Sequence, residues 1–414
     1  MAADADIDPR RWRRLALLAA AELLAMSLWF AASAVAPQLA AQWRLNQSEV
    51  AFLTSVVQLG FVLGTAASAL LNLADIVPSR LLFAASAVIG SAANATLLVA
   101  PTYQSALLCR LLTGFALAGV YPPAMKMIST WFRARRGLAV GTIVGALTIG
   151  KATPYLVHAM PGAGVTPVVL TASGGAVLAA VLVGVGYADG PYPFVPRPFS
   201  WGLVGGVFRS RGWRLATGGY LGHMFELYSA WTWLPVFLGA SAAAYGFPAD
   251  PRTSALVSGI AFAAIAIGGV ACVWGGLVAD RRGRTWLVTV ALAASGSCAI
   301  LIGFTFGRSL VAVVPLALAW GFFVIADSAQ FSVLVTESVP AHAVGTALTL
   351  QTSLGFLLTM FSIQLIPPLV SLVGWRWAFA VLAVGPVFGI AAIRRLVASV
   401  RATPGVAVVP TGVP

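Results

Sequence analysis

The sequence predicts an all-α membrane protein, with twelve transmembrane helices in two pseudo-symmetric six-helix bundles. Three observations lead there. Hydrophobic residues make up 59% of the 414-residue chain and charged residues only 9%, against roughly 25% charged in an ordinary soluble domain. A soluble surface of this size cannot be built from so few charges, so lipid is the bulk solvent. Twelve apolar segments each approach or exceed the roughly 20 residues that a spanning helix needs. The chain also repeats itself 204 residues on: Glu22 and Trp29 return as Glu226 and Trp233, and Ala139-Val140-Gly141-Thr142 returns letter for letter as Ala343-Val344-Gly345-Thr346. The stretch Leu73-Ala74-Asp75 returns, shifted by one, as Val278-Ala279-Asp280.

The net charge of +13 does not indicate nucleic acid, because the basic residues fall in short clusters between apolar runs. With the N-terminus inside, 18 Lys and Arg fall on inner loops and tails and 4 on outer loops, which predicts that both termini are cytoplasmic. That places a multi-pass chain in a plasma membrane, read here as a bacterial inner membrane. Cys109, Cys272 and Cys298 all lie inside apolar runs. An odd, unpaired set excludes a disulfide framework and an ordinary zinc motif.

The first segment, 15–40, follows Arg10, Arg11, Arg13 and Arg14 and mimics a signal peptide. Its apolar run is too long for a signal core, so it reads as an uncleaved helix with Glu22, Met26, Trp29 and Ser33 on one face. Asn46-Gln47-Ser48, on the outer loop that follows, is a glycosylation sequon with meaning only in a eukaryotic host. Segments two and three, 50–72 and 80–100, meet at a cytoplasmic turn holding Asp75 and Arg80. Segment four, 104–128, carries Arg110, whose burial in a bilayer costs at least ~2.5 kcal/mol and demands a partner or a water-lined cavity. Segment five, 137–158, carries Gly141, Gly145 and Gly150, spaced to let helices approach closely, together with Lys151 near mid-membrane. Its run from Gly145 to Lys151 matches the phosphate-loop pattern, but Ala152 stands where Ser or Thr is needed and no strand precedes it, so ATP binding is excluded. Segment six, 165–187, completes a first bundle spanning 1–189.

A linker over 190–212, stiffened by Pro191, Pro193, Pro196 and Pro198, leads to a second bundle over 213–400. In segment seven, 213–239, Tyr220, His223, Glu226 and Trp233 share one face. His223 can relay a proton to Glu226, or it can simply be hydrogen-bonded in a polar pocket. Segments eight and nine, 254–278 and 286–306, meet at Gly275-Gly276-Leu277-Val278-Ala279-Asp280-Arg281-Arg282-Gly283-Arg284. Glycine there permits close helix contact, and an Asp near a helix end can pair with Arg across the bundle interface as a latch. Segment ten, 309–336, sets Trp320, Phe323, Asp327, Gln330 and Phe331 on one face. Segments eleven and twelve, 343–370 and 375–396, precede a tail over 401–414 without periodicity, expected to be disordered.

The run Gly275–Arg284 resembles the loop signature of the major facilitator superfamily, Gly-x-Leu-Ala-Asp-Arg-x-Gly-Arg. The first-half copy, Leu71 to Arg80, keeps the Asp and one Arg but lacks the usual Gly. Arg110-Leu111-Leu112-Thr113-Gly114 resembles a second signature of the family, Arg-x-x-x-Gly. Gly141, Gly145, Gly150 and Pro154 loosely resemble the pattern of its proton-coupled drug antiporters, although the Gly-Pro pair is absent and Lys151 intrudes. The resemblance implies a central cavity that opens alternately to each side, faced most directly by the first and fourth helices of each half. It also implies gating roles for Asp75, Arg80, Asp280, Arg281 and Arg284, and action as a monomer.

The expected function is secondary active transport of a small solute by alternating access, coupled to protons, with no cofactor or metal. Glu22, Glu226, Asp327 and His223 are the proton-coupling candidates, since an acid away from water holds its proton more readily and can exchange it near neutral pH. The alternative for the acids is static pairing with Lys151 or Arg110. At 1.5 Å per residue Glu22 lies ~12 Å and Glu226 ~18 Å from the cytoplasmic ends, with Arg110 in the outer half, so a direct Glu22–Arg110 bridge is not expected. The substrate-binding candidates are Arg110, Lys151, Trp29, Trp233, Tyr121, Tyr155, Gln58 and Gln351. Lys151 and Arg110 favour a small organic anion. The rival is a proton-driven multidrug efflux antiporter, suggested by the acid on the first helix and the aromatic content. No nucleophile–base pair or metal-ligand set lies at one depth, which disfavours a membrane enzyme. Buried titratable groups in two repeated bundles disfavour a passive channel.

Overall fold

The predicted segments reappear, in order, as helices. The computed structural model describes residues 8–133, 135–192 and 201–401. The first bundle holds α1 (Arg10–Met26, resuming as Ala31–Ala34 and Ala36–Trp43), α2 (Gln47–Leu70), α3 (Ser79–Ala95), α4 (Tyr103–Leu117 and Tyr121–Ser129), α5 (Arg136–His158) and α6 (Val165–Gly186). The second holds α7 (Arg211–Tyr245), α8 (Pro251–Arg282), α9 (Arg284–Leu301), α10 (Leu310–Phe323 and Ser328–Glu337), α11 (Val344–Val373) and α12 (Trp375–Ala378, resuming as Val384–Arg401). A nine-residue helix, Trp201–Arg209, leads into α7. The linker prolines Pro193, Pro196 and Pro198, and the tail over 402–414, lie outside the described residues.

Among the described residues, ten helices are long and apolar enough to cross a membrane. The two passes outside that set are α1, interrupted after Met26, and α7. These two carry Glu22, His223 and Glu226. The repeat is visible in the packing. Helix α1 lies on α5 and α6 as α7 lies on α11 and α12; α2 lies on α4 as α8 lies on α10; α3 lies on α4 and α6 as α9 lies on α10 and α12. The halves meet along two seams, α5 against α8 and α2 against α11.

Small residues set the α5–α8 seam. A Cβ on Gly145 would stand 2.7 Å from the Gly269 carbonyl oxygen, and one on Gly141 3.1 Å from that of Cys272. Gly145→Leu is therefore expected to push the halves apart and cost about 1–3 kcal/mol, read as a lower melting temperature of the purified protein. At the end of the seams away from the α8–α9 turn, both are tied by hydrogen bonds. Gln38 donates to Nε2 of His158 at 2.8 Å, while Nδ1 of that ring faces the Ser258 hydroxyl at 2.8 Å. Gln364 donates to the Ser48 carbonyl at 3.3 Å. Two caps fix where α2 and α8 begin. Asn46 and Glu49 form a capping box on α2, with bonds of 3.0 and 2.8 Å. Asp250 accepts the Thr253 backbone N–H at 2.8 Å, which holds its carboxyl below the usual range.

Candidate functional site

Three helices break part-way along their length: α1 at residues 27–30, α4 at 118–120 and α10 at 324–327. Breaks leave backbone carbonyls without helical partners, which lipid cannot satisfy. In α1 the guanidinium of Arg110 fills that role. Its Nη1 donates to the Leu28 carbonyl at 3.0 Å and to Asn94 Oδ1 at 3.1 Å, and its Nη2 donates to the Trp29 carbonyl. Asn94 in turn donates to Ser173 Oγ at 3.0 Å, joining α3, α4 and α6. Arg110 is fully buried, and its partners are backbone and amide groups rather than a carboxylate. Its chemistry here is that of a structural cap. Arg110→Ala is expected to strand the two carbonyls and lower stability by about 2 kcal/mol, measurable by thermal unfolding in detergent.

Beside the α1 break, Lys151 of α5 projects into a cage of rings. Its Nζ lies 4.0 Å from the Trp29 ring centroid, 4.7 Å from Tyr228 and 5.7 Å from Trp231, and it donates to the Tyr228 hydroxyl. Such distances fall within the range of cation–π attraction. Phe61 of α2 and Phe356 of α11 close the cage: Trp29–Phe61 is 5.4 Å, Phe61–Phe356 4.7 Å and Tyr228–Phe356 5.2 Å between centroids. Both halves therefore contribute walls. Among the described residues no carboxylate lies within 4.0 Å of the ammonium. Glu22 is near enough to interact electrostatically with both Lys151 and Tyr121. It is fully buried, and neither carboxylate oxygen has a hydrogen-bond partner.

The repeat acid Glu226 sits differently. Trp320 donates to its Oε1 at 2.6 Å and Ser295 to its Oε2 at 2.8 Å, so both oxygens are satisfied. His223, one turn from Glu226, sets Nδ1 3.0 Å from Asp327 Oδ1 in the α10 break, and Asp327 is near enough to Glu226 to interact with it electrostatically. Successive turns of α7 thus serve different neighbours: Glu226 faces α9 and α10, and His223 faces the break. Its Nε2 has no partner, nor does either amide atom of Gln351, and both residues are about 99% buried.

The remaining candidates divide. Tyr121 and Tyr220 interact across the α4–α7 approach. Tyr155 lies 6.4 Å from Phe30, at the edge of the cage. Gln58 turns its amide back onto the Thr54 and Ser55 carbonyls of its own helix. Trp233 donates to the Ile363 carbonyl at 2.9 Å and packs on Trp375, within the second bundle and apart from the cage. Sequence reasoning missed Tyr228, Trp231, Phe61 and Phe356. The i, i+3 spacing of Tyr228 and Trp231 on α7 was the available signal.

Of the gating candidates, Asp280 meets a helix end. A Cβ on Gly137 would stand 3.7 Å from its Oδ2, so the carboxylate lies at the first turn of α5, across the seam. That turn has no side-chain cap of its own, and its partial positive charge attracts an anion. Arg284 pairs with Glu337 at 2.9 Å within the second bundle rather than across the seam. Arg80 and Arg281 are exposed. Asp75 occupies the short helix Leu73–Ile76, and its side chain lies outside the described residues.

This architecture matches solved transporters along nearly the whole chain. A bacterial homolog of the human lysosomal transporter Spinster, inward-facing and unoccupied, superposes with a TM-score of 0.68 at 14% identity, covering 95% of this chain and 98% of that one. Its occupied inward-facing form gives 0.67 at 14% identity, with 96% and 98% covered. The nucleoside transporter NupG gives 0.70 at 14% identity, with 92% and 99% covered. These likenesses establish the fold. No curated protein sequence matches the chain. The family model of the Major Facilitator Superfamily matches residues 17–363, and with the paired bundles described above the chain belongs to that superfamily.

Proposed function

We propose that this chain is a proton-coupled secondary transporter that carries a small organic anion by alternating access. The observation that carries the reading is the Lys151 ammonium, buried among rings and without a carboxylate partner among the described residues. A buried cation without a counter-ion is costly, so an arriving carboxylate is bound strongly. The ring faces around it suit the substrate's organic body. Glu22 supplies the coupling. While Glu22 carries a proton, Lys151 is free to take the substrate anion. Once substrate and proton leave, the bare Glu22 carboxylate becomes the partner of Lys151 and the empty carrier can return. Anion and proton then favour each other's binding, which defines symport. His223 with Asp327 forms a second titratable pair on the opposite half.

In this reading the units 1–189 and 213–400 rock about the two seams, joined by the linker 190–212, and Asp280 releases the N-terminus of α5 when the seam opens. The protein works as a monomer in a bacterial inner membrane with both termini cytoplasmic. Proteoliposomes with an imposed pH gradient test the proposal, using a panel of organic anions and lipophilic cations. Uphill accumulation of an anion with co-directional proton flux supports it. A second reading, proton-driven efflux of lipophilic cations, is favoured by the cage itself, whose ring faces accept an ammonium if Lys151 withdraws. Cation extrusion with counter-directional protons would select that alternative.

A further inference from the structure

Far from the cage, the start of α9 and the end of α12 flank an open recess of about 710 Å³, lined by Thr285, Trp286, Thr289, Ile393, Arg394 and Val397. Two cations flank it. The Arg282 guanidinium stacks 4.9 Å over the Trp286 ring, and Arg394 has no acidic partner among the described residues. The neighbouring Arg284 is already neutralised by Glu337, so it does not compete for an incoming anion. Thr289 spends its hydroxyl proton on the Thr285 carbonyl at 2.8 Å, which leaves the Thr285 hydroxyl as the donor facing the cavity.

The cavity also ends an apolar stripe. On α12, Val384, Val387 and Phe388 are 61%, 69% and 57% exposed, and their helical spacing continues through position 391 to Arg394. From Val384 to Arg394 the stripe runs ~15 Å. A polar, cationic recess at the end of a lipid-facing apolar track matches one kind of molecule: charge in the head, hydrocarbon in the tail. A tryptophan at the junction suits the boundary between headgroups and acyl chains.

We propose that this recess binds an anionic membrane phospholipid, its phosphate held by Arg282, Arg394 and Thr285 and one acyl chain laid along the α12 stripe. The inference is independent of which solute is transported. Native mass spectrometry of the purified full chain tests it, with phosphatidylglycerol, phosphatidylcholine and inorganic phosphate as probes. Phosphatidylglycerol is expected to bind about tenfold more tightly than phosphatidylcholine, and Arg394→Gln to remove that preference. Arg308→Gln, on an outer loop, is the control and should retain it. A photoactivatable phosphatidylglycerol on the unmutated protein gives a readout that does not depend on variant folding, with label expected on 284–289 and 393–398. Equal binding of both lipids, a preference that survives Arg394→Gln, or label elsewhere would overturn the proposal. So would displacement of the lipid by millimolar phosphate, which would make the recess a free-anion site.

Discussion

Lys151→Gln is expected to lower substrate affinity and transport efficiency at least about 100-fold, since removing one partner of a buried charge pair costs about 3 kcal/mol. The expectation rests on position. Lys151 is the cation that faces the cage, because Arg110, although equally buried, turns both Nη atoms onto the Leu28 and Trp29 carbonyls and Asn94. Gln fits the same space and keeps a donor for Tyr228, so the cage should persist. Stability should not fall, because replacing a buried charge by a neutral group is often neutral or favourable. That separates lost binding from lost folding. Lys151→Arg keeps the charge but needs a planar fork where a compact ammonium stood 4.0 Å above Trp29, so it should recover only part of the affinity. Ligand titration and thermal unfolding of the same samples make the measurement. Unchanged affinity in Lys151→Gln would remove the anion reading.

The helices and their repeat were legible because lipid imposes a simple rule: a span must be long and apolar. The spans around α2, α6 and α9 fall within a few residues of those read from the sequence. The breaks were not legible. Ser27 to Phe30 and Ala118 to Val120 remain nearly as apolar as the helices they interrupt, and in Val324 to Asp327 only the last residue is charged. What permits the α1 break is a guanidinium from α4, and no local pattern announces a partner 82 residues away. The repeat was likewise a good guide to fold and a poor one to role. Glu22 and Glu226 occupy equivalent places, yet Trp320 and Ser295 satisfy only the second. Trp29 enters the cage, whereas Trp233 anchors α7 to α11. The two halves have kept their packing scheme and differ in what their polar groups meet. The cage escaped notice for a related reason. Its rings come from α1, α2, α7 and α11, and aromatic residues on any one of these helices look like ordinary packing.

That difference between the repeat acids yields the sharpest expectation. Glu22→Gln should abolish uphill accumulation while leaving exchange of labelled for unlabelled substrate across the membrane. The amide resembles the protonated acid in shape and charge, so Lys151 stays available to the anion and the loaded carrier still reorients. The empty carrier lacks the carboxylate that neutralises Lys151 on its return, and net turnover stalls. Exchange needs no empty return, so it survives. Substrate affinity in this variant should also lose its dependence on the Glu22 proton. Glu226→Gln should behave otherwise. It retains hydrogen-bonding capacity toward Trp320 and Ser295 but loses charge assistance, costing about 1–2 kcal/mol of stability with coupling intact. Proteoliposomes loaded with a pH-sensitive dye and radiolabelled substrate report both quantities. Accumulation by Glu22→Gln, or loss of coupling in a well-folded Glu226→Gln, would move the proton site to the second half and make His223 with Asp327 the next pair to examine. The contrast follows from chemistry already visible in the fold. An acid whose oxygens are hydrogen-bonded on both sides is held in one protonation environment, whereas Glu22, with neither oxygen bonded, has no such hold on its charged form.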